Sequence, residues 1–239
     1  MHILGLGLAP LLVVLGCAAT ARAIGGDPLL GAELGVIGLT TAWLAHLSNA
    51  VRLAVDEQRE LRGIARPFRV GGRRVRLIES SQGPEAFVIG PFRPDIFVSG
   101  PLLGTLDTDE LEAVLLHEEH HRRTRAPLRA LALSSWMRVV GVIPVLGHWI
   151  GRRLVQLELD ADRYAVAGGA SRAAIASALV KCDRSDSFAA LGYASVAEAR
   201  VRQLVTDDGG CARLASTPVE WLAPALVAAG LAVCHLLLG

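Results

Sequence analysis

The chain has 239 residues, with 24 Lys and Arg against 23 Asp and Glu, for a net charge of +1. That balance excludes the strong basic asymmetry of a nucleic-acid-binding chain. Hydrophobic residues make up 52% and aromatics only 5%, the mean hydropathy is +0.43, and the apolar residues fall in blocks, the pattern of a chain that enters a membrane. The four cysteines, Cys17, Cys182, Cys211 and Cys234, form no C-x-x-C, which argues against a cysteine metal site and a disulfide scaffold.

Residues 3–21 carry no charge and are long enough to cross a bilayer. Val14-Leu15-Gly16-Cys17 loosely has the form of a lipoprotein cleavage site. A signal sequence normally opens on basic residues, however, and only His2 follows the start, so a retained transmembrane helix is expected. A short loop at 22–28 leads to Leu29–Leu53, apolar apart from Glu33, His46 and Arg52, with the core of a second span at Leu34–Ala50. Residues 1–53 thus read as a transmembrane hairpin. Residues 52–76 then hold eight arginines against Asp56, Glu57 and Glu60. A basic stretch beside a span marks the cytoplasmic side and points to membrane lipids, through anionic headgroups, rather than nucleic acid as its partner.

Short extended segments follow. Val75 to Ile78, Ala86–Ile89 and Ile96–Val98 alternate with the turn-forming Gly90-Pro91 and Pro94-Asp95, so a small β-sheet is expected. Such a sheet gives a peptide an edge to lie along. The next helix is strongly specified: Asp107 and Glu110 have the spacing of a capping box, and Leu111, Val114 and Leu115 make an apolar stripe. Its sequence continues His117-Glu118-Glu119-His120-His121. In an H-E-x-x-H on a helix, the end histidines, at i and i+4, face one ion, and the glutamate beside them can serve as a general base. His120, about 100° round the helix from His121, is expected to face substrate or headgroup, and Glu119 to be solvated.

Residues 127–150 are apolar but interrupted by Arg129 and Arg138, and Gly141 and Pro144 disfavour one straight helix. A re-entrant or interfacial segment is expected, with a soluble amphipathic helix as the bland alternative. A helix at 152–167 ends at Gly168-Gly169, shorter helices are expected at 171–181 and 195–206, and Trp221–Leu238 reads as a final span. The domain reading is therefore a hairpin at 1–53, a metal-dependent domain at 54–218 carrying the membrane-associated segment 127–150, and a C-terminal transmembrane helix at 219–239.

Two histidines are too few for a catalytic zinc site, which normally has three protein ligands and one open position. On the 152–167 helix, Glu158 and Asp162 share a face. Glu158 can supply the third ligand for one Zn2+, and Asp162 can accept a hydrogen bond from the far nitrogen of His117 or His121. An ordinary solvated helix face would carry the same two carboxylates without a metal.

H-E-E-H-H at 117–121 with E-L-D-A-D at 158–162 resembles the gluzincin pattern of membrane-embedded zinc peptidases. Two kinds share it: the heat-shock quality-control and CAAX-processing peptidases, and the antirepressor peptidases of beta-lactam sensor receptors. The run from Phe87 to Gly100, with Gly90-Pro91-Phe92-Arg93-Pro94-Asp95-Ile96, is more similar to the antirepressor kind. The resemblance implies a mainly α, integral-membrane, zincin-like metallopeptidase with a small sheet before the H-E-x-x-H helix. It also implies metal ligands His117, His121 and Glu158, the base Glu118, the supporting carboxylate Asp162, and an active site facing the cytoplasm. Expected activity is zinc-dependent cleavage of a cytoplasmic or membrane-proximal protein, a regulatory repressor among the candidates. Membrane quality control and a non-catalytic scaffold or receptor are the alternatives. The sequence given ends at Gly239, just after an apolar stretch, so a separate sensor protein is expected to supply any activating signal.

Overall fold

The computed structural model describes residues 18–79, 83–141, 144–182 and 194–205. Among these, 51–131, 154–182 and 194–205 form one compact unit, and 18–50 with 132–141 and 144–153 form another. The expected spans at 3–21, apart from its last four residues, and at 221–238 lie outside the described residues, as does the C-terminal helix 219–239.

Helix α1 runs from Pro28 to Ile64. Asp27 accepts a hydrogen bond from the Leu29 N–H (2.8 Å) and Pro28 follows at the first helical position, where its fixed φ and missing N–H are harmless. At 37 residues the helix is roughly 55 Å long, well beyond the ~30 Å of a bilayer core. Among the described residues it is the one helix long and apolar enough to cross a membrane. Its apolar part keeps large side chains exposed, including Leu30, Leu34, Ile37 and Leu44. Trp43 stacks on Trp136 of helix α4 (Ala126–Val140), ring centroids 5.0 Å apart. The expected break inside 127–150 falls at Gly141, where α4 ends. Helix α5 then runs from Pro144 to Ala167, not from 152. Pro144 suits a first helical turn, and the apolar residues after it belong to the same helix.

The larger unit holds a four-stranded mixed sheet in the order β1-β2-β4-β3, built from β1 (Arg66–Val70), β2 (Arg73–Ile78), β3 (Ala86–Ile89) and β4 (Asp95–Ser99). β2 pairs antiparallel with β1 and parallel with β4, which pairs antiparallel with β3. The arginine-rich 52–76 segment divides into the end of α1, all of β1 and the start of β2. Gly71 and Gly72 both have positive φ (53° and 73°), the requirement of a two-residue hairpin turn. The resulting register pairs Phe68 with Val75, and both pack on the core. β4 is central, and its Ile96, Phe97 and Val98 are fully buried. β1 and β3 are the edges.

Helices α2 (Gly100–Thr105) and α3 (Thr108–Thr124) follow. The capping box forms as expected: Asp107 accepts from the Asp109 and Glu110 N–H groups, while the Glu110 carboxylate accepts from the Asp107 N–H. Glu110 is buried and also accepts from Ser177 and Lys181 of α6 (Arg172–Cys182). α3 has core on two sides. Leu115 packs with Val75, Ile96 and Val98 of the sheet, whereas Ala113 and Leu116 pack with Ala165, Ile175 and Leu204, the last from α7 (Ala194–Val205). Arg125, in the left-handed region (φ 51°), ends the helix. A helix so clamped holds its side chains rigidly, which a metal site needs.

Candidate metal centre

His117 and His121 lie one turn apart on α3, and Glu158 approaches from α5. The two Nε2 atoms are 2.9 Å apart. Glu158 Oε2 is 3.3 Å from His117 Nε2, and Oε1 is 3.5 Å from His121 Nε2. Three lone-pair atoms thus point at one spot. Ligands about 2.0–2.2 Å from a tetrahedral zinc lie roughly 3.3–3.5 Å from one another, so two of the three separations match directly, and the histidine pair needs to spread by a few tenths of an ångström. Two imidazoles and a carboxylate are also a donor set that zinc accepts. The residues present fit the ion.

Asp162 is completely buried, and its Oδ1 lies 2.8 Å from His117 Nδ1. The partner is therefore His117 and not His121, whose Nδ1 is buried without a hydrogen-bond partner. A His117 Nδ1–H donating to Asp162 leaves the Nε2 lone pair facing Glu158 and His121. Behind Asp162 stands Arg200 of α7, a residue that sequence reasoning missed. Its Nε donates to Oδ2 and its Nη2 to Oδ1, both at 2.8 Å, a bidentate grip on a carboxylate with no access to water. Arg200 Nη1 is also 3.8 Å from Glu158 Oε2. Nothing in the spacing around Arg200 distinguished it from Arg202, the other arginine of that helix. The only available signal was that a buried Asp needs a cation to offset its desolvation.

The charges follow this geometry. Burial alone would push Glu158 up, but His117 and His121 hold it well below the usual carboxylate range. Burial also opposes Asp162, where His117 and Arg200 prevail and the pKa falls. Burial works against a charged His117 too, yet its hydrogen bonds to Asp162 and Glu158 bring it up to about 9 in metal-free protein. Glu118 is buried as well, and here burial wins, raising its carboxyl.

Two neighbours differ in outcome. Glu119 was expected in solvent; instead its side chain is only 12% exposed and ion-pairs with Arg122 and Arg123, because two guanidiniums within one helical turn draw it down. His120 stays out of the metal group, as expected, and packs against Tyr164 (ring centroids 5.1 Å). Beside the group lies a cleft of about 160 Å³, lined by Val88 of β3, by Ala126, Pro127 and Ala130 of α4, and by Leu157 with His121 and Glu158.

A family model for peptidase family M48 matches residues 53–217. The chain belongs to peptidase family M48. No curated protein and no solved structure matches it. As an M48 peptidase it is a zincin-type metallopeptidase, and M48 enzymes are zinc peptidases. The matched span contains every residue of the group described above, and the His117, His121 and Glu158 atoms lie close enough together that they could hold a metal ion.

Proposed function

We propose that this M48 peptidase is a membrane-anchored zinc endopeptidase acting on a cytoplasmic or membrane-proximal protein. The observation that carries the reading is the convergence of His117, His121 and Glu158 with a buried Glu118 beside them. In this reading the first three hold the metal, Glu118 is the general base, and Asp162 with Arg200 positions His117. A zinc held by His117, His121 and Glu158 would supply Lewis-acid chemistry, making a water more acidic and polarising the scissile carbonyl. Glu118, its carboxyl raised by burial, would take a proton from water and return it to the departing amine. The peptide backbone adds to the β3 edge, and Val88 of that strand sits where a substrate side chain enters the 160 Å³ cleft.

The apolar part of α1 supports the membrane anchor. The arginines that follow it support a cytoplasmic site, with the segments at 3–21 and 221–238 as further spans. The stacking of Trp43 on Trp136 favours 127–140 packing beside the second span. Among regulatory and quality-control roles, the antirepressor-like run from Gly90 to Ile96 favours cleavage of a repressor, with a separate sensor protein supplying the signal.

The experiment is metal exchange on purified full-length chain. It should carry one zinc per chain and cleave an unfolded test protein, lose both properties on chelation, and regain both with zinc. Stable zinc-free protein that still cleaves would overturn the reading. Two further outcomes are expected. Arg200→Ala should lower zinc affinity or activity about 10–100-fold, as loss of a ligand's supporting partner does, measured by competition with a chromophoric chelator. Ala130→Phe should close the cleft and shift the preferred side chain at the cleavage site from aliphatic to smaller, read out by mass spectrometry of a digested peptide library.

A further inference from the structure

A cavity of about 570 Å³ lies on the other side of α3 from the metal group. His117 and His121 occupy one face of the helix. Glu119, Arg122 and Arg123, which line this cavity, point away from that face at about 100° per residue. From across the gap β2 contributes Arg73, Arg74 and Arg76, and Leu116 and Tyr164 also line the cavity.

Its charge is not balanced. The lining holds five guanidiniums against the carboxylates of Glu119 and Asp95. Those carboxylates are already engaged: Glu119 by Arg122 and Arg123, and Asp95 by Arg76 at 3.4 Å and by Arg62 of α1 at 2.6 Å. Arg73 is held by Glu112 at 2.7 Å. These pairs fix the guanidiniums in place and leave donors over. Arg73 uses one Nη and Arg123 its Nε. Arg74, exposed, has no side-chain partner among the described residues. Guanidiniums from two elements that line one cavity offer N–H donors suited to the oxygens of a phosphate. The volume falls in the usual range of small-ligand sites, about 300–1,000 Å³.

We propose that this cavity is a binding site for a phosphate-bearing anion, either a small phosphorylated solute or the phosphate headgroup of a lipid. A bound dianion supplies the negative charge the lining lacks. The site stands independently of the peptidase reading. It also gives the arginines of β2 a partner that their place in a folded sheet allows.

The test uses full-length protein in non-ionic detergent at low salt, titrated calorimetrically with inorganic pyrophosphate, with dihexanoyl phosphatidic acid, and with dihexanoyl phosphatidylcholine as control. Arg74→Gln combined with Arg123→Gln should weaken binding about tenfold or more, given charge-assisted bonds of this kind, without changing zinc content or thermal midpoint. Arg123 is 62% exposed in its side chain, and Glu119 keeps Arg122, so the fold has little to lose; Arg74→Gln alone serves should the pair prove unstable. Binding of pyrophosphate and phosphatidic acid alike, lost in the variant, supports a phosphate site open to solutes. Binding of phosphatidic acid alone, again lost in the variant, supports the headgroup. No binding of either, or binding that the variant leaves unchanged, overturns the proposal.

Discussion

Glu118→Gln should leave the protein folded and zinc-loaded while slowing peptide hydrolysis about 10²–10⁴-fold, the usual contribution of a positioned acid–base group. The amide has the same shape as the carboxylate but cannot accept a proton from water. Glu118 is not one of the three residues whose ligand atoms converge, so metal content should not move. Stability should hold or rise, because burial already disfavours the charge on this carboxyl and the amide removes that penalty. Zinc by elemental mass spectrometry, the thermal midpoint, and the initial rate on a quenched fluorescent peptide measure the three effects separately. Unchanged hydrolysis would remove Glu118 from the chemistry. Joint loss of zinc and activity would make it a ligand or a structural residue instead.

The features legible in the sequence were those in which local rules and the chemistry agree. Asp107 and Glu110 cap α3 where their spacing places a helix start, and His117 and His121 share a face because i and i+4 must. Glu158 could be placed with them because a catalytic zinc site wants a third ligand and no cysteine was suitably spaced. The residues that escaped depend on long-range geometry. Arg200 reaches Asp162 from 38 positions away, and Glu119 is drawn inward by its neighbours although its residue type suggests solvent. β1 was hidden because its arginines read as one charge run with those of α1 and β2, although the Gly71-Gly72 turn divides β1 from β2. The start of α5 at Pro144 rather than at 152 was missed, since composition alone does not place a helix start within an apolar run.

Glu158→Gln should abolish stoichiometric zinc binding and, with it, activity, while leaving the unit folded. The side chain is one of three donors and the only one from α5; two imidazoles alone leave a site short of the usual ligand number. The same substitution should alter how zinc binding depends on pH. In metal-free protein His117 is held at about 9 by Asp162 and Glu158 against the pull of burial, so it is protonated at neutral pH and must release that proton before Nε2 can bind a metal. Apparent zinc affinity in the unaltered chain should therefore rise with pH toward 9, with proton release measurable by calorimetry in two buffers of different ionisation enthalpy. The stability of the metal-free protein should move the opposite way. A raised His117 pKa contributes fully below the ordinary value of 6.5 and is lost as pH climbs through about 9. Removing the Glu158 charge takes away one of the two groups that raise His117, so in Glu158→Gln the pH-dependent stability should shrink while the Asp162 part remains. Stoichiometric zinc retained by Glu158→Gln after dialysis would place the third ligand elsewhere. An unchanged pH dependence of metal-free stability would separate Glu158 from His117 altogether.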